Sequence, residues 1–156
     1  MLFLICQCGE DRFAIQGDRV MEVLPMVPVH ALGGTGLAAS GVIPYRGLSI
    51  PVVDLCLWRA GRPAVARLST RIIVVSLPGD GGREFLTGLL AERATEMMRL
   101  EESAFGPVAH TGTTDDPATR VAWDARGLLR RLDLDRLAVH LRSDARLSPA
   151  GNLIAP

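Results

Sequence analysis

The chain has 156 residues, 48% of them apolar, and its 17 basic and 17 acidic side chains balance at zero formal net charge. This length suits one domain, or two small lobes that share a core. The balanced charge provides no net field toward nucleic acid or an anionic membrane, so neither is expected as a partner.

The N-terminal segment, residues 1–8, is apolar, but it carries no basic region and is followed almost at once by acidic residues. It is therefore too short for a signal peptide. No run approaches the roughly 18 to 20 uninterrupted apolar residues that a transmembrane helix needs. We predict a cytoplasmic protein that does not insert into a membrane.

The first elements are predicted as a β-hairpin. Residues 1–8 and 12–15 form its two strands, because apolar residues alternate along both. The alternating residues are assigned to one face of the hairpin: Phe3, Ile5, Phe13 and Ile15.

A third strand is predicted over residues 19–24, and Pro25 ends it. In a strand, Val20, Glu22 and Leu24 share one face. A carboxylate among apolar neighbours costs free energy unless it is paired or solvated. We therefore expect Glu22 to be paired or solvated.

Residues 25–38 predict a loop, with at most one helical turn near 37–40. Residues 41–55 then predict a β-hairpin at the centre of a small barrel, since β-branched and aromatic residues flank a short turn. Gly47 permits that turn. Arg46 beside it places a cation at a bend in an otherwise apolar segment, where a side chain is easily presented to a partner.

The middle of the chain continues with a short helix and further strands. Asp54 can N-cap a helix over residues 55–58. Residues 70–77 predict a strand that is buried on both faces, and residues 84–91 predict its antiparallel return. Residues 93–100 fit either a helix or a strand, because their alternation is less clear.

The last third begins with residues 105–120, a polar stretch that predicts an exposed loop. Residues 121–124 and 127–134 predict a final hairpin. Asp135 can N-cap a helix over residues 136–141. Three leucines at helical spacing would dock this helix on the barrel: Leu134, Leu137 and Leu141.

The cysteines and histidines show no pattern of metal ligands. Cys6 and Cys8 share a face of a predicted strand, but a tetrahedral site would need further ligands. The three histidines lie far apart in sequence. With Cys56 as the third cysteine, we predict reduced and mostly buried thiols, with no metal and no cofactor.

No set of catalytic residues is evident. The glycines in residues 78–82 lack the setting of a phosphate-binding loop, and no nucleophile-elbow motif occurs. His110 lies near acidic residues in a polar loop, where we interpret it as a solvated side chain rather than a base. Trp58 and Trp123 are assigned to packing in the core or between lobes. An enzyme is therefore not expected.

Residues 41–55 resemble the signature segment of CheW-like domains, the adaptors of bacterial chemosensory arrays. Further segments agree with that family in order and spacing: residues 12–15, 19–23, and 70–77 followed by 87–97. The resemblance extends over roughly residues 1–141.

The resemblance implies a mostly β fold of two intertwined five-stranded SH3-like β-barrels with short helices and a C-terminal helix. Residues 1–142 would form the domain, and residues 143–156 would form a weakly ordered tail. By resemblance, the protein is a non-catalytic adaptor that couples a methyl-accepting chemoreceptor to a CheA-type histidine kinase. Its first lobe would carry the kinase-facing apolar patch.

The resemblance also implies site residues. Arg46 matches the arginine linked to receptor coupling and would pair with Glu22 on an adjacent strand, partly buried at a groove. Positions associated with receptor contact are Val20, Glu22, Gly41, Arg46, Gly47 and Gly88. The Glu22–Arg46 pair is either a partner-binding feature or a structural clamp.

Two departures and one alternative belong with this interpretation. Pro44 and Tyr45 replace the usual Asn-Leu, and Glu92 stands where Asp is common, so the groove would suit a different receptor. The short N-terminus and the Asp-rich loop before Trp123 resemble those of adaptors of the surface-sensing, Wsp-type branch, whose output is a cyclic-di-GMP synthase. The alternative function is a regulatory barrel that binds a small ligand, which a cluster of polar groups in a cleft would favour.

Overall fold

The computed structural model of the protein describes residues 1–32, 40–108, 117–118 and 120–143. Most of the predicted helical turn at 37–40, His110 with its acidic neighbours, and the tail after Ser143 lie outside these residues.

The described residues form twelve β-strands and two α-helices. Their bounds are β1 (Leu2–Cys8), β2 (Asp11–Gln16), β3 (Val20–Pro25), β4 (His30–Ala31), β5 (Gly41–Tyr45), β6 (Leu48–Asp54), α1 (Leu55–Ala60), β7 (Arg71–Pro78), β8 (Glu84–Ala91), β9 (Arg93–Arg99), β10 (Gly106–Pro107), β11 (Arg120–Asp124), β12 (Gly127–Arg131) and α2 (Leu134–Arg142).

The strands build two sheets. The terminal sheet has the order β10-β11-β12-β2-β1-β9, and the central sheet has the order β3-β7-β8-β6-β5-β4. Each contains five longer strands and one two-residue edge strand, β10 or β4. The middle of the chain, residues 20–91, builds the central sheet, and the segments on either side of it build the terminal sheet, so only the terminal sheet is discontinuous in sequence.

A shared core joins the two sheets and the helices. It includes Leu4 of β1, Ile73 of β7, Leu89 of β8 and Leu137 of α2, all at most 5% exposed. Separate clusters fill the far side of each sheet: the central-sheet core includes Ile43, Ile50 and Val74, and the terminal-sheet core includes Phe3, Phe105 and Leu129. β7 contributes to two of these cores, with Ile73 on one face and neighbouring β-branched residues on the other, so its predicted burial on both faces is confirmed.

The first hairpin forms as predicted, but its residues divide between two cores. Phe3 and Ile5 pack in the terminal-sheet core, whereas Phe13 and Ile15 pack in the shared core. The prediction of one common face is therefore wrong. The reason is the register, which places Ile5 opposite Ala14 rather than opposite a phenylalanine or isoleucine.

Both helices have aspartate N-caps. The Asp54 carboxylate accepts hydrogen bonds from the backbone N–H groups of Cys56 and Leu57, as predicted. Helix α1 ends at Gly61, whose φ is 73°. The N-cap of α2 is Asp133 rather than the predicted Asp135, because the helix begins two residues earlier.

The three leucines of α2 are buried as predicted: Leu134, Leu137 and Leu141.

Two of the three cysteines are paired. Cys8 at the end of β1 and Cys56 in α1 form a disulfide with Cα atoms 5.1 Å apart, which is within the normal range. Cys6 is free and buried, and burial raises the pKa of its thiol to about 12. The prediction of reduced thiols is therefore wrong for Cys8 and Cys56, because their spacing of 48 residues gives no sign that α1 packs on β1.

Further corrections concern the second half of the chain. Residues 93–99 form a strand, β9, which settles the open alternative. Phe105 is 1% exposed and its ring centroid lies 5.3 Å from that of Phe3, so this end of the predicted exposed loop is buried. Trp123 was expected to be packed, but it is 76% exposed on β11, whereas Trp58 packs against the shared core.

Candidate partner-binding site

The β5–β6 hairpin turns through Arg46 and Gly47, whose φ angles are 48° and 80°. Positive φ at both central residues is the pattern of a type I′ turn. Glycine adopts it freely, but for a residue with a side chain it costs about 1 kcal/mol or more. Among the described residues, Arg46 is the one non-glycine residue with positive φ. The turn therefore holds a guanidinium group in a backbone conformation where glycine, asparagine or aspartate would be easier.

Glu22 lies on β3 beside a β-bulge. Val20 is opposite Val75 of β7, but Glu22 is opposite Val74, so the register shifts by one residue between them. As a result, Val20 packs against the shared core, while Leu24 packs against the central-sheet core. The predicted common face of Val20, Glu22 and Leu24 is wrong, since the bulge turns Val20 to the other side.

The Glu22 carboxylate contacts two other side chains, those of Arg46 and Tyr45. Its Oε2 atom is 3.2 Å from Nη2 of Arg46 and 2.5 Å from the Tyr45 hydroxyl, which donates to it. The Arg46 guanidinium also lies over the Tyr45 ring, 5.2 Å from the ring centroid. The predicted Glu22–Arg46 ion pair is present, and Tyr45 is its third member.

The ion pair connects strands that are not neighbours in the sheet. β7, β8 and β6 lie between β3 and β5, so the expectation that the pair joins adjacent strands is wrong. The two side chains meet because the central sheet curls. The side chains of Arg46 and Glu22 are 73% and 39% exposed. Exposed ion pairs contribute roughly 0 to 1 kcal/mol to stability, so this pair adds little to folding.

Tyr45 anchors the cluster in the barrel. It is 7% exposed and belongs to the central-sheet core. Burial, and then the hydrogen bond to Glu22, raise the pKa of its phenol above the ordinary value of 10.0. The phenol therefore stays protonated at neutral pH and donates its proton to the carboxylate.

Two further predicted site residues, Gly41 and Gly88, lie with Glu22 in one row across the central sheet. The pairing runs from Glu22 to Val74, then to Gly88, Val52 and Gly41. Val74 and Val52 are core residues, so this row faces the barrel interior at its centre. The structure thus places Gly41 and Gly88 in the packed interior, whereas Arg46 and Gly47 are exposed at the turn.

Steric contacts explain the two interior glycines. A Cβ atom on Gly41 would lie 2.2 Å from the carbonyl oxygen of His30, and one on Gly88 would lie 2.8 Å from Cγ2 of Ile72. Both distances are too short for a real contact. Glycine at these positions therefore lets β4 and β7 approach closely.

Glu92 connects distant segments of the chain, a role that the sequence did not predict. In the sequence it stands out only because aspartate is common at this position in the family. Its carboxylate forms two hydrogen bonds with Arg62, of 2.8 and 3.0 Å, and accepts the backbone N–H groups of Gly9 and Val65 at 2.7 and 2.9 Å. These contacts lower the pKa of Glu92 to about 2, and the hydrogen bonds from Arg62 contribute most to the change. It joins the β1–β2 turn to the segment after α1.

An open apolar groove lies beyond the end of β3. Residues 26–28 form one wall and residues 66–68 the other, around a volume of about 650 Å³. Arg67 is its one charged lining residue, and Leu68 is 97% exposed. In the described parts of the chain, no group of three potential metal ligands occurs, and no helix is long and apolar enough to cross a membrane.

The family model of the CheW-like domain matches residues 2–142. The chain belongs to the CheW-like family. A solved structure described as the scaffolding protein TtCheW from Thermoanaerobacter tengcongensis is similar in fold, with a TM-score of 0.72, 22% sequence identity, and coverage of 87% of this chain and 86% of that one. Comparison with curated proteins gives no match.

Family membership and the structural similarity confirm the predicted fold class, a mostly β domain of two SH3-like barrels with a C-terminal helix. CheW-like domains are adaptors of chemotaxis signal transduction, so the chain is a protein of that class.

Proposed function

We propose that this CheW-like domain is a non-catalytic, cytoplasmic adaptor that couples a methyl-accepting chemoreceptor to a CheA-type histidine kinase. Residues 1–142 would carry this function. The supporting observation is the exposed Glu22–Arg46 pair, in which Arg46 lies on the β5–β6 turn with a positive φ that costs free energy. Backbone strain that adds nothing to stability is typical of residues kept for binding.

The receptor would contact the surface around this turn, made of Glu22, Arg46, Gly47 and the neighbouring part of β3. Gly41 and Gly88 would act indirectly, by keeping the strands below that surface close together. Val20 would do the same from the shared core. The assignment of these six residues to partner binding is part of the proposal.

The Cys8–Cys56 disulfide bears on the proposed location, because disulfides are uncommon in the cytoplasm. Both cysteines are nearly inaccessible, at 2% and 0% exposure. Burial limits attack by cellular thiols, so the disulfide is compatible with a cytoplasmic protein.

The alternative, a small-ligand domain, has less support. The groove of residues 26–28 and 66–68 is lined by apolar residues and Arg67, without the converging polar groups that fix a small ligand. The Wsp-type branch stays a prediction.

The first prediction concerns Arg46→Ala. Since the ion pair is exposed, we expect the melting temperature to change by less than about 2 °C. Co-purification of a receptor with the tagged protein from the native cell should be lost, because the cation at the turn is gone. Arg83→Ala is the matched control, since Arg83 is also an exposed arginine in a connection between strands.

Three outcomes decide the proposal. Loss of receptor with Arg46→Ala and retention with Arg83→Ala support the site. Normal recovery of the receptor with Arg46→Ala excludes the site. Failure of the unaltered protein to recover either a receptor or a histidine kinase contradicts the adaptor function itself.

A further inference from the structure

We propose that Tyr45 is a positioning residue that fixes the Glu22 carboxylate, so that Glu22 and Arg46 together bind a carboxamide side chain, asparagine or glutamine, of the partner. The inference rests on the proposed function, because it assumes that the turn contacts a protein partner.

Tyr45 is suited to hold Glu22 still. Its ring is packed in the central-sheet core, and its backbone is held in the β5–β6 ladder opposite Leu48. Its hydroxyl donates to Oε2 of Glu22 at 2.5 Å. Glu22 itself lies on an edge strand next to a bulge, and its side chain is 39% exposed. The rigid phenol therefore restricts the rotamers of the more exposed carboxylate.

The hydrogen bonds at Oε2 leave the other carboxylate oxygen of Glu22 and several N–H groups of Arg46 available for hydrogen bonds with a partner. Tyr45 and Arg46 both donate to Oε2, whereas in the described part of the chain no group donates to Oε1. The guanidinium has five N–H donors and a 73% exposed side chain, and it uses one donor on Glu22. An acceptor, Oε1, and several donors thus lie side by side and face outward.

This arrangement favours a neutral group that both donates and accepts. A carboxamide can donate its N–H to Oε1 of Glu22 and accept a hydrogen bond from Arg46 at its carbonyl oxygen. A carboxylate would pair with Arg46 but would be repelled by Glu22. An ammonium group would pair with Glu22 but would be repelled by Arg46. The paired charges therefore select against either ion.

The contact between Tyr45 and Glu22 can be tested without a partner. Tyr45 is the single tyrosine of the chain, so ultraviolet absorbance during an alkaline titration reports its ionisation alone. In Glu22→Gln, which removes the negative charge, the pKa of Tyr45 should fall relative to the unaltered protein. An unchanged pKa would show that Glu22 does not contact the phenol and would overturn the proposal.

The role in binding is tested with Tyr45→Phe, which keeps the ring in the core and under Arg46 but removes the hydroxyl. Affinity for the receptor fragment recovered in the pull-down should fall about tenfold, because the carboxylate is no longer fixed. Ser49→Ala is the matched control, since it removes an exposed hydroxyl from the same hairpin and should leave the affinity unchanged.

The chemistry of the partner group is tested by salt. Binding of a neutral carboxamide should change less than about twofold between 50 and 500 mM NaCl, whereas a carboxylate on Arg46 would give a steep loss. A steep loss, or wild-type affinity in Tyr45→Phe, overturns this inference while leaving the adaptor function intact. If the unaltered protein binds no receptor, the proposed function fails first.

Discussion

At the residue scale, the candidate site separates exposed groups from interior ones. Arg46 and Glu22 are on the surface and add little to stability, whereas Gly41 and Gly88 lie inside the barrel, where a Cβ atom would collide with a neighbouring strand. A loss of binding therefore has different meanings at these positions. At Arg46 it reports the contact, but at Gly41 it reports the fold.

The second prediction compares Gly41→Ala with Gly47→Ala. The new Cβ on Gly41 would lie 2.2 Å from the His30 carbonyl oxygen, so β4 must move away and we expect destabilisation of about 2 to 3 kcal/mol. Gly47 has open space around it, and its positive φ alone should cost about 1 kcal/mol. Urea unfolding measures both. Equal destabilisation would contradict the close approach of β4 and β5.

At the element scale, Glu92 is the connection that holds the β1–β2 turn against the segment after α1. The Cys8–Cys56 disulfide acts in the same region, because it links β1 to α1 itself. Close to the same turn, Arg12 at the start of β2 and Asp124 at the end of β11 form a second bidentate pair at 2.8 and 2.7 Å, which lowers the pKa of Asp124 to about 2. Charged pairs thus join elements that are far apart in sequence.

The third prediction concerns stability against pH. Because the folded pKa of Glu92, about 2, is below its ordinary value of 4.5, its contribution is fully present above about pH 5 and is lost as the pH falls toward 2. Glu92→Gln should lower the free energy of unfolding by about 2 kcal/mol at pH 7 and reduce the slope between pH 5 and 2. Asp124 should maintain the remaining slope.

The measurement is urea unfolding at a series of pH values. Glu10→Gln is the control, since Glu10 is exposed in the same β1–β2 turn and its change should leave both stability and slope nearly unaltered. An identical slope in Glu92→Gln and the unaltered protein would show that Glu92 is not held by Arg62.

At the scale of the whole molecule, local patterns predicted the elements and the hairpins between consecutive strands, but not the pairing of strands that are distant in sequence. The β-branched run of β7 and the Arg46–Gly47 turn are local features, so both were predictable. Three other features depend on contacts between distant segments and were not predictable. They are the bulge at Glu22, the exposure of Trp123 and the disulfide between Cys8 and Cys56. The Glu22–Arg46 pair was found through family resemblance, whereas Tyr45 was marked only as a departure, because its role depends on how the barrel closes.

The interleaved chain order has a further consequence for folding. The terminal sheet needs strands from both ends of the chain, and the central sheet lies between them in sequence. The shared core takes side chains from both sheets and from α2. Since no sheet can form its buried face alone, we expect the described domain to unfold as one cooperative unit rather than as two lobes.

The fourth prediction tests this cooperativity with Leu137→Ala. Leu137 is 2% exposed in the shared core, so its truncation should cost about 2 to 4 kcal/mol. Hydrogen exchange should show that the slowest amides of β1, in the terminal sheet, and of β7, in the central sheet, lose protection by the same free energy. Val139→Ala, on the same helix but 54% exposed, is the control and should change neither. A loss of protection confined to β7, on which α2 packs, would mean that the two sheets are separate folding units joined by a weak interface.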